Sequence, residues 1–296
     1  MSAPLPAPDQ GAVVVDGLLQ AIEVKAGFGS NTVLHGVSYT VRSGEIAGIF
    51  GLNGAGKSVS MKVVAGVVPA WSGRVLFDGA EITRMSPEER VRRGIANVPQ
   101  GRQVFPALTV EQNLRLGAYT LRRRDRGRYG PLLESMYSRF PVLGQRKSQL
   151  AGTMSGGEQA SLAVARALMS EPKLLLIDEP SAGLAPRIVE ELFETLREVN
   201  RTGVTLLLVE QNVTFGLKLV DSAHIMQRGR IVYEGAVANL DRERVAEYLG
   251  IGRLLKPGAT ASLAREGSPD STTPTVPPKG RTRSPKAAAA TPQPAK

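Results

Sequence analysis

The chain has no cysteine among its 296 residues. Disulfides, thiolate metal sites and cysteine nucleophiles are therefore excluded. Histidine is almost as scarce. Only His35 and His224 offer an imidazole, too few for a histidine-based metal centre. Aromatic residues make up 5% of the chain, without the interleaved pattern that stacks on nucleic-acid bases. No apolar run approaches the roughly 20 residues of a membrane-spanning helix. The opening stretch MSAPLPAPDQGAVVVDG lacks both a basic start and a long apolar core, so no secretory signal is expected. These absences point to a soluble, cytoplasmic chain that reaches a membrane only through partners.

Positive charge is abundant, with a formal net charge of +10. Its placement argues against a nucleic-acid partner. Residues 253–296 carry eight Lys or Arg against two acids, so more than half of the excess sits in that tail. The tail is rich in Pro, Ser, Thr and Ala and has almost no large apolar residues, so it is expected to be disordered. Residues 1–17 are Pro/Ala-rich and expected to be loose. Between them, residues 18–252 alternate apolar strand-like runs with amphipathic helical stretches, the pattern of an α/β domain. Longer helical patterns fill about 104–170, which is expected to be a helical insertion. The basic run LRRRDRGR at 121–128 within it suits a solvated face.

The strand-like EIAGIF is followed by GLNGAGKS, Gly51–Ser58, and then by a helical pattern. This is the strand–loop–helix setting of a phosphate loop. Gly51, Gly54 and Gly56 let backbone N–H groups approach phosphate oxygens, together with those of Asn53 and Ala55. Lys57 is placed to reach the β- and γ-phosphates, and Ser58 to ligate Mg²⁺. A second buried run, LLLIDEP, ends on Asp178, where α/β sheets place their ligands. Asp178 is a candidate Mg²⁺ ligand, and Glu179 a candidate general base. A third element, MSGGEQ, presents Ser155, Gly156 and Gly157 at a helix start, a second anion-binding context in the same chain.

GLNGAGKS, MSGGEQ and LLLIDEP in this order closely resemble the ATP-binding subunits of ABC transporters over about residues 20–250. The resemblance implies a P-loop NTPase core with an antiparallel β subdomain and a helical signature-motif subdomain. It implies ATP and Mg²⁺ as cofactors, and a head-to-tail pair of ATPases. Ser155, Gly156, Gly157 and Glu158 would then serve the nucleotide held by the partner. Gln100 matches the family's Q-loop glutamine, near Mg²⁺ or the attacking water. Phe28 matches the aromatic that stacks on adenine, and Phe105 and Leu108 fall where a membrane subunit docks. The stretches VPQGRQVFPALTVEQNL, TMSGGEQ, DEPSAGLAP and LLLVEQN resemble the LivF-type ATPases of branched-chain amino acid importers. That likeness implies a second, different ATPase, two permeases and an external solute-binding protein, with this chain at the cytoplasmic face of the membrane.

Three positions depart from the general family pattern. Gln211 stands where most members have a switch histidine, so it offers N–H donors but no titratable proton. Ala185 replaces an aspartate in DEPSAGLAP. Val59 follows Ser58 where a second hydroxyl is usual, leaving only its backbone N–H for phosphate.

Overall fold

The computed structural model describes residues 17–101, 103–121, 127–240 and Val245. The start of the chain up to residue 16 and the tail 253–296, read as loose and disordered, lie outside the described residues. So do residues 122–126 of the basic run.

Strands β1 (Gly17–Phe28), β2 (Asn31–Arg42), β4 (Ser72–Phe77) and β5 (Ala80–Glu81) form an antiparallel sheet in the order β2–β1–β4–β5. Gly17 thus opens a strand, although its composition grouped it with the loose start. A second sheet holds β3 (Ile46–Phe50), β6 (Ile95–Val98), β7 (Leu174–Asp178), β8 (Thr205–Glu210), β9 (Ser222–Gln227) and β10 (Arg230–Ala236). Its order is β10–β9–β3–β8–β7–β6, parallel throughout except for β10.

The parallel strands are apolar along their whole length because both faces are covered. Side chains alternate between two cores. Leu175, Ile177, Leu206 and Leu208 join the core beneath the helices. Leu174, Leu176, Leu207 and Val209 join the core shared with the antiparallel sheet. That second core also takes the apolar face of α1 (Lys57–Val64).

The C-terminal end of α1 is clasped by a buried cation. Arg90, on α2 (Pro87–Arg93), is 2% exposed. Its guanidinium donates to the carbonyls of Val63 at 2.6 Å, Val64 at 2.7 Å, Thr83 at 2.9 Å and Met85 at 3.1 Å. A cation is favoured there by the helix dipole, although burial lowers its pKa to about 10. The α2 helix itself is framed by a Ser86–Glu89 capping box and a left-handed Gly94.

Between β6 and β7 the chain inserts α3 (Val110–Gly117), α4 (Tyr129–Arg139), α5 (Pro141–Gln145) and α6 (Gly156–Leu168). Their packing rests on residues such as Leu114, Leu143 and Leu162, all fully buried. Each such leucine contributes about 1.5–3 kcal/mol. Asn113 is also fully buried. It fastens the loop before α3 by accepting from Phe105 N–H at 2.9 Å and donating to the carbonyls of Phe105 and Thr109 at 3.1 and 3.0 Å. Then α7 (Pro186–Arg201) buries Val189, Leu192, Phe193, Leu196 and Val199 along one helical stripe, and α8 (Val213–Leu219) leads into β9. Among the described residues, no helix is long and apolar enough to cross a membrane.

Candidate functional site

The loop 51–56 joins β3 to α1, and its glycines are dictated by geometry. A Cβ at Gly51 would sit 2.3 Å from the Met226 carbonyl oxygen. Gly54 and Gly56 adopt φ of 78° and 105°, which side chains disfavour. Gly56 is the N-cap of α1, makes no side-chain cap bond, and no acid lies in the first turn. The first N–H groups of α1 are therefore presented to an anion. Lys57 is 4% exposed and curls over this loop, donating to the carbonyls of Gly51 at 2.9 Å and Leu52 at 3.2 Å. Burial lowers its pKa, against the pull of Glu179, Asp178 and Glu210. Ala55 is buried, Asn53 is exposed, and Val59 packs against the core beneath the antiparallel sheet.

Ser58 Oγ donates to Asp178 Oδ1 at 3.0 Å, joining the first turn of α1 to the end of β7. Burial pushes the Asp178 carboxyl up, with the Ser58 hydroxyl offsetting part of the shift. A buried carboxylate and a hydroxyl oxygen at this spacing, in a cavity that Gln100 also lines, make a hard oxygen donor set. That chemistry suits Mg²⁺.

Glu179 leaves β7 with φ of 48°, an uncommon backbone state for a side-chain-bearing residue. Its N–H is anchored to the Val209 carbonyl at 2.9 Å. Its carboxylate accepts from Gln100 Nε2 at 2.6 Å. Gln100 follows β6, and both residues line a cavity of about 510 Å³ together with Val98, Ala160, Asp178 and Gly183. Lys57, Ser58, Asp178, Glu179 and Gln100 therefore converge at the C-terminal ends of β3, β7 and β6.

Among the described residues, no side-chain hydrogen bond joins the remaining candidates to this cluster. Phe28 ends β1 and is 55% exposed, so it is an aromatic at the surface and not core. Gln211 is exposed beyond β8. Ser155 is the N-cap of α6 and forms a capping box with Glu158. Glu158 accepts from Ser155 N–H at 2.8 Å and pairs with Arg146 at 3.0 Å, so its carboxylate is engaged within the helical insertion. Gly156 opens the helix. Gly157 is required by packing, since a Cβ there would meet Ile188 Cγ2 at 2.5 Å.

A second cavity of about 420 Å³ opens beside the Asn113-fastened loop. Phe105, Leu116, Tyr119 and Arg166 line it, with the Arg166 guanidinium 5.1 Å from the Phe105 ring centre. Val91, Ala96 and Ala167 add to its apolar lining, and Leu108 is not part of it. One acidic residue escaped the sequence reading. Glu210 ends β8 almost fully buried, with three backbone N–H groups on its carboxylate. The signal was present, since LLLVE ends on an acid just as LLLID does.

Residues 34–182 match the family described as ABC transporter. The chain is 44% identical over 235 residues to the high-affinity branched-chain amino acid transport ATP-binding protein BraG of Pseudomonas aeruginosa, covering 79% of this chain and 100% of that one. It is 35% identical to a probable branched-chain amino acid transport ATP-binding protein LivF of Archaeoglobus fulgidus, covering 79% and 99%. Among solved structures, the ADP conformation of MJ1267, an ATP-binding cassette of an ABC transporter, superposes with a TM-score of 0.69 at 30% identity, covering 79% and 99%.

Proposed function

The chain belongs to the ABC transporter family as an ATP-binding, ATP-hydrolysing subunit, and from that premise we propose that it powers an importer of branched-chain amino acids or related small polar solutes. The solute class rests on the likeness to BraG and LivF. The hydrolytic role rests on one observation, the pairing of Gln100 with Glu179 at 2.6 Å beside that of Ser58 with Asp178 at 3.0 Å.

In this reading the N–H groups of residues 53–59 and the Lys57 ammonium hold the ATP phosphates, and Phe28 stacks on adenine. Ser58, Asp178 and Gln100 would hold Mg²⁺, which would supply positive charge against the phosphates. Glu179 accepts a proton from the water that attacks the γ-phosphorus in line, and Gln100 orients the Glu179 carboxylate. The bond to the β,γ-bridging oxygen breaks, giving ADP and inorganic phosphate. Lys57 and the amide of Gln211 stabilise the spreading negative charge. Ser155, Gly156, Gly157 and Glu158 face the nucleotide of a second ATPase subunit, so each complete site draws on two chains. The cavity lined by Phe105, Leu116 and Tyr119 receives a helix from one of two permeases at the cytoplasmic face. An external solute-binding protein delivers the solute to those permeases.

The test is capture of the tagged full chain from detergent-solubilised source membranes, with copurifying chains identified by mass spectrometry. Two polytopic permeases and a second, different ATPase are expected. An exporter-type or lipid-extracting partner would overturn the import direction. Ribosomes or DNA-bound proteins with no membrane chain would overturn the transport role.

A further inference from the structure

Glu210 is 1% exposed at the end of β8, and both of its carboxylate oxygens are turned onto backbone. Oε1 accepts the Ser181 N–H at 2.9 Å. Oε2 accepts the Gln211 N–H at 3.1 Å and the Asn212 N–H at 3.2 Å. These amides belong to two separate connections. Ser181 lies two residues after Glu179 on the way out of β7. Gln211 and Asn212 form the link from β8 to α8, where Asn212 also caps α8 by accepting from Phe215 N–H at 3.2 Å. Among the described residues no ion pair neutralises Glu210. Its charge is balanced by these N–H dipoles, and a buried carboxylate is tolerated only when so bonded.

The shape of this arrangement selects glutamate. Three N–H donors from two chain segments converge on one side chain, so two acceptor oxygens are needed. A glutamine would keep one oxygen and turn an NH₂ group against an N–H donor, leaving a buried donor unpaired. An aspartate would fall one methylene short of one segment.

Building on the hydrolytic reading above, we infer that Glu210 is a positioning residue. It locks the backbone of Gln211 and the turn carrying Glu179 into one body, so that the γ-phosphate donor and the general base keep a fixed separation. Two features make this clamp consequential here. Gln211 is a neutral donor, so its contribution depends on aim alone. Glu179 holds a disfavoured φ of 48°, a state that persists only where the surroundings impose it. The Glu179 N–H bond to Val209 and the Glu210 clamp supply that support from adjacent residues of β8.

The experiment is a double-mutant cycle on the full chain assembled with its partner ATPase and permeases, with ATP affinity and kcat measured for the wild type, Glu210→Gln, Gln211→Ala and the double variant. Glu210→Gln is expected to keep ATP affinity within about twofold and to lower kcat by about tenfold or more, the equivalent of one charged hydrogen bond. In the Gln211→Ala background the same change is expected to lower kcat less, because the donor it aims is already gone and only the support of the Glu179 turn is lost. An equal fold-loss in both backgrounds would overturn the clamp. So would a loss of ATP affinity matching the loss of kcat. Should Glu210→Gln fail to fold, Glu210→Asp replaces it in the same cycle, with a smaller kcat loss and the same non-additivity expected. A wild-type complex that binds ATP without turning it over would overturn the hydrolytic reading together with this one. Wild-type turnover with additive variants would overturn this one alone.

Discussion

Two helices of this chain begin in anion-binding contexts, and they treat their first N–H groups in opposite ways. The start of α1 has a glycine N-cap, no side-chain cap and no acid in its first turn. The start of α6 has a serine N-cap, a complete capping box and Glu158 in its first turn. An uncapped start leaves its donors for a ligand, and Lys57 adds a cation beside them. A capped start has already satisfied part of its donors, and Glu158 adds negative charge that Arg146 balances at 3.0 Å. The difference teaches which helix can hold a polyphosphate alone. The first can, and the second is stable without one and suits a contributing half-site.

The sharpest way to break this contrast is to leave the α1 site intact and remove its chemistry. Glu179→Gln is expected to lower ATP turnover by about 10²–10⁴-fold while ATP affinity is kept, since only the base is lost. Steady-state hydrolysis at the wild-type rate would refute the assignment. Lys57→Ala comes next. It removes the cation and unpairs the Gly51 and Leu52 carbonyls, and is expected to weaken ATP binding by about 10–100-fold in equilibrium titration. An unchanged dissociation constant would count against the loop. The smallest effect is expected at the capped helix. Ser155→Ala should cost about 1 kcal/mol of stability in denaturant unfolding, through the lost cap. It should leave ATP affinity of the single chain unchanged while lowering turnover of the assembled pair. Weakened binding to the single chain would show that the two helix starts are not distinct in role.

Much of this arrangement was legible in the sequence because it is local. GLNGAGKS sets a strand, a loop and a helix within one short span, and LLLID announces a buried strand ending on an acid. The resemblance carried by MSGGEQ linked these elements. What escaped depends on distance along the chain. The clamp at Glu210 joins positions 29 residues apart, and the acid at the end of LLLVE acquires meaning only when Ser181 is brought to it. The engagement of Glu158 by Arg146 is visible only once α5 and α6 pack together. The apolar cavity beside Phe105 gathers residues distant in sequence, from Val91 and Ala96 to Leu116, Tyr119 and Ala167. Spacing rules see neighbours in sequence, and packing chooses neighbours in space.

The clasp of Arg90 on the carbonyls of Val63 and Val64 has a mechanical meaning. It bolts the far end of the phosphate-loop helix to α2, and α2 runs through Gly94 directly into β6, the strand that delivers Gln100. The strand is thereby grounded on the same frame as the loop 51–56. Lysine could not replace the bolt, because a single ammonium has no planar fork with which to span four carbonyls.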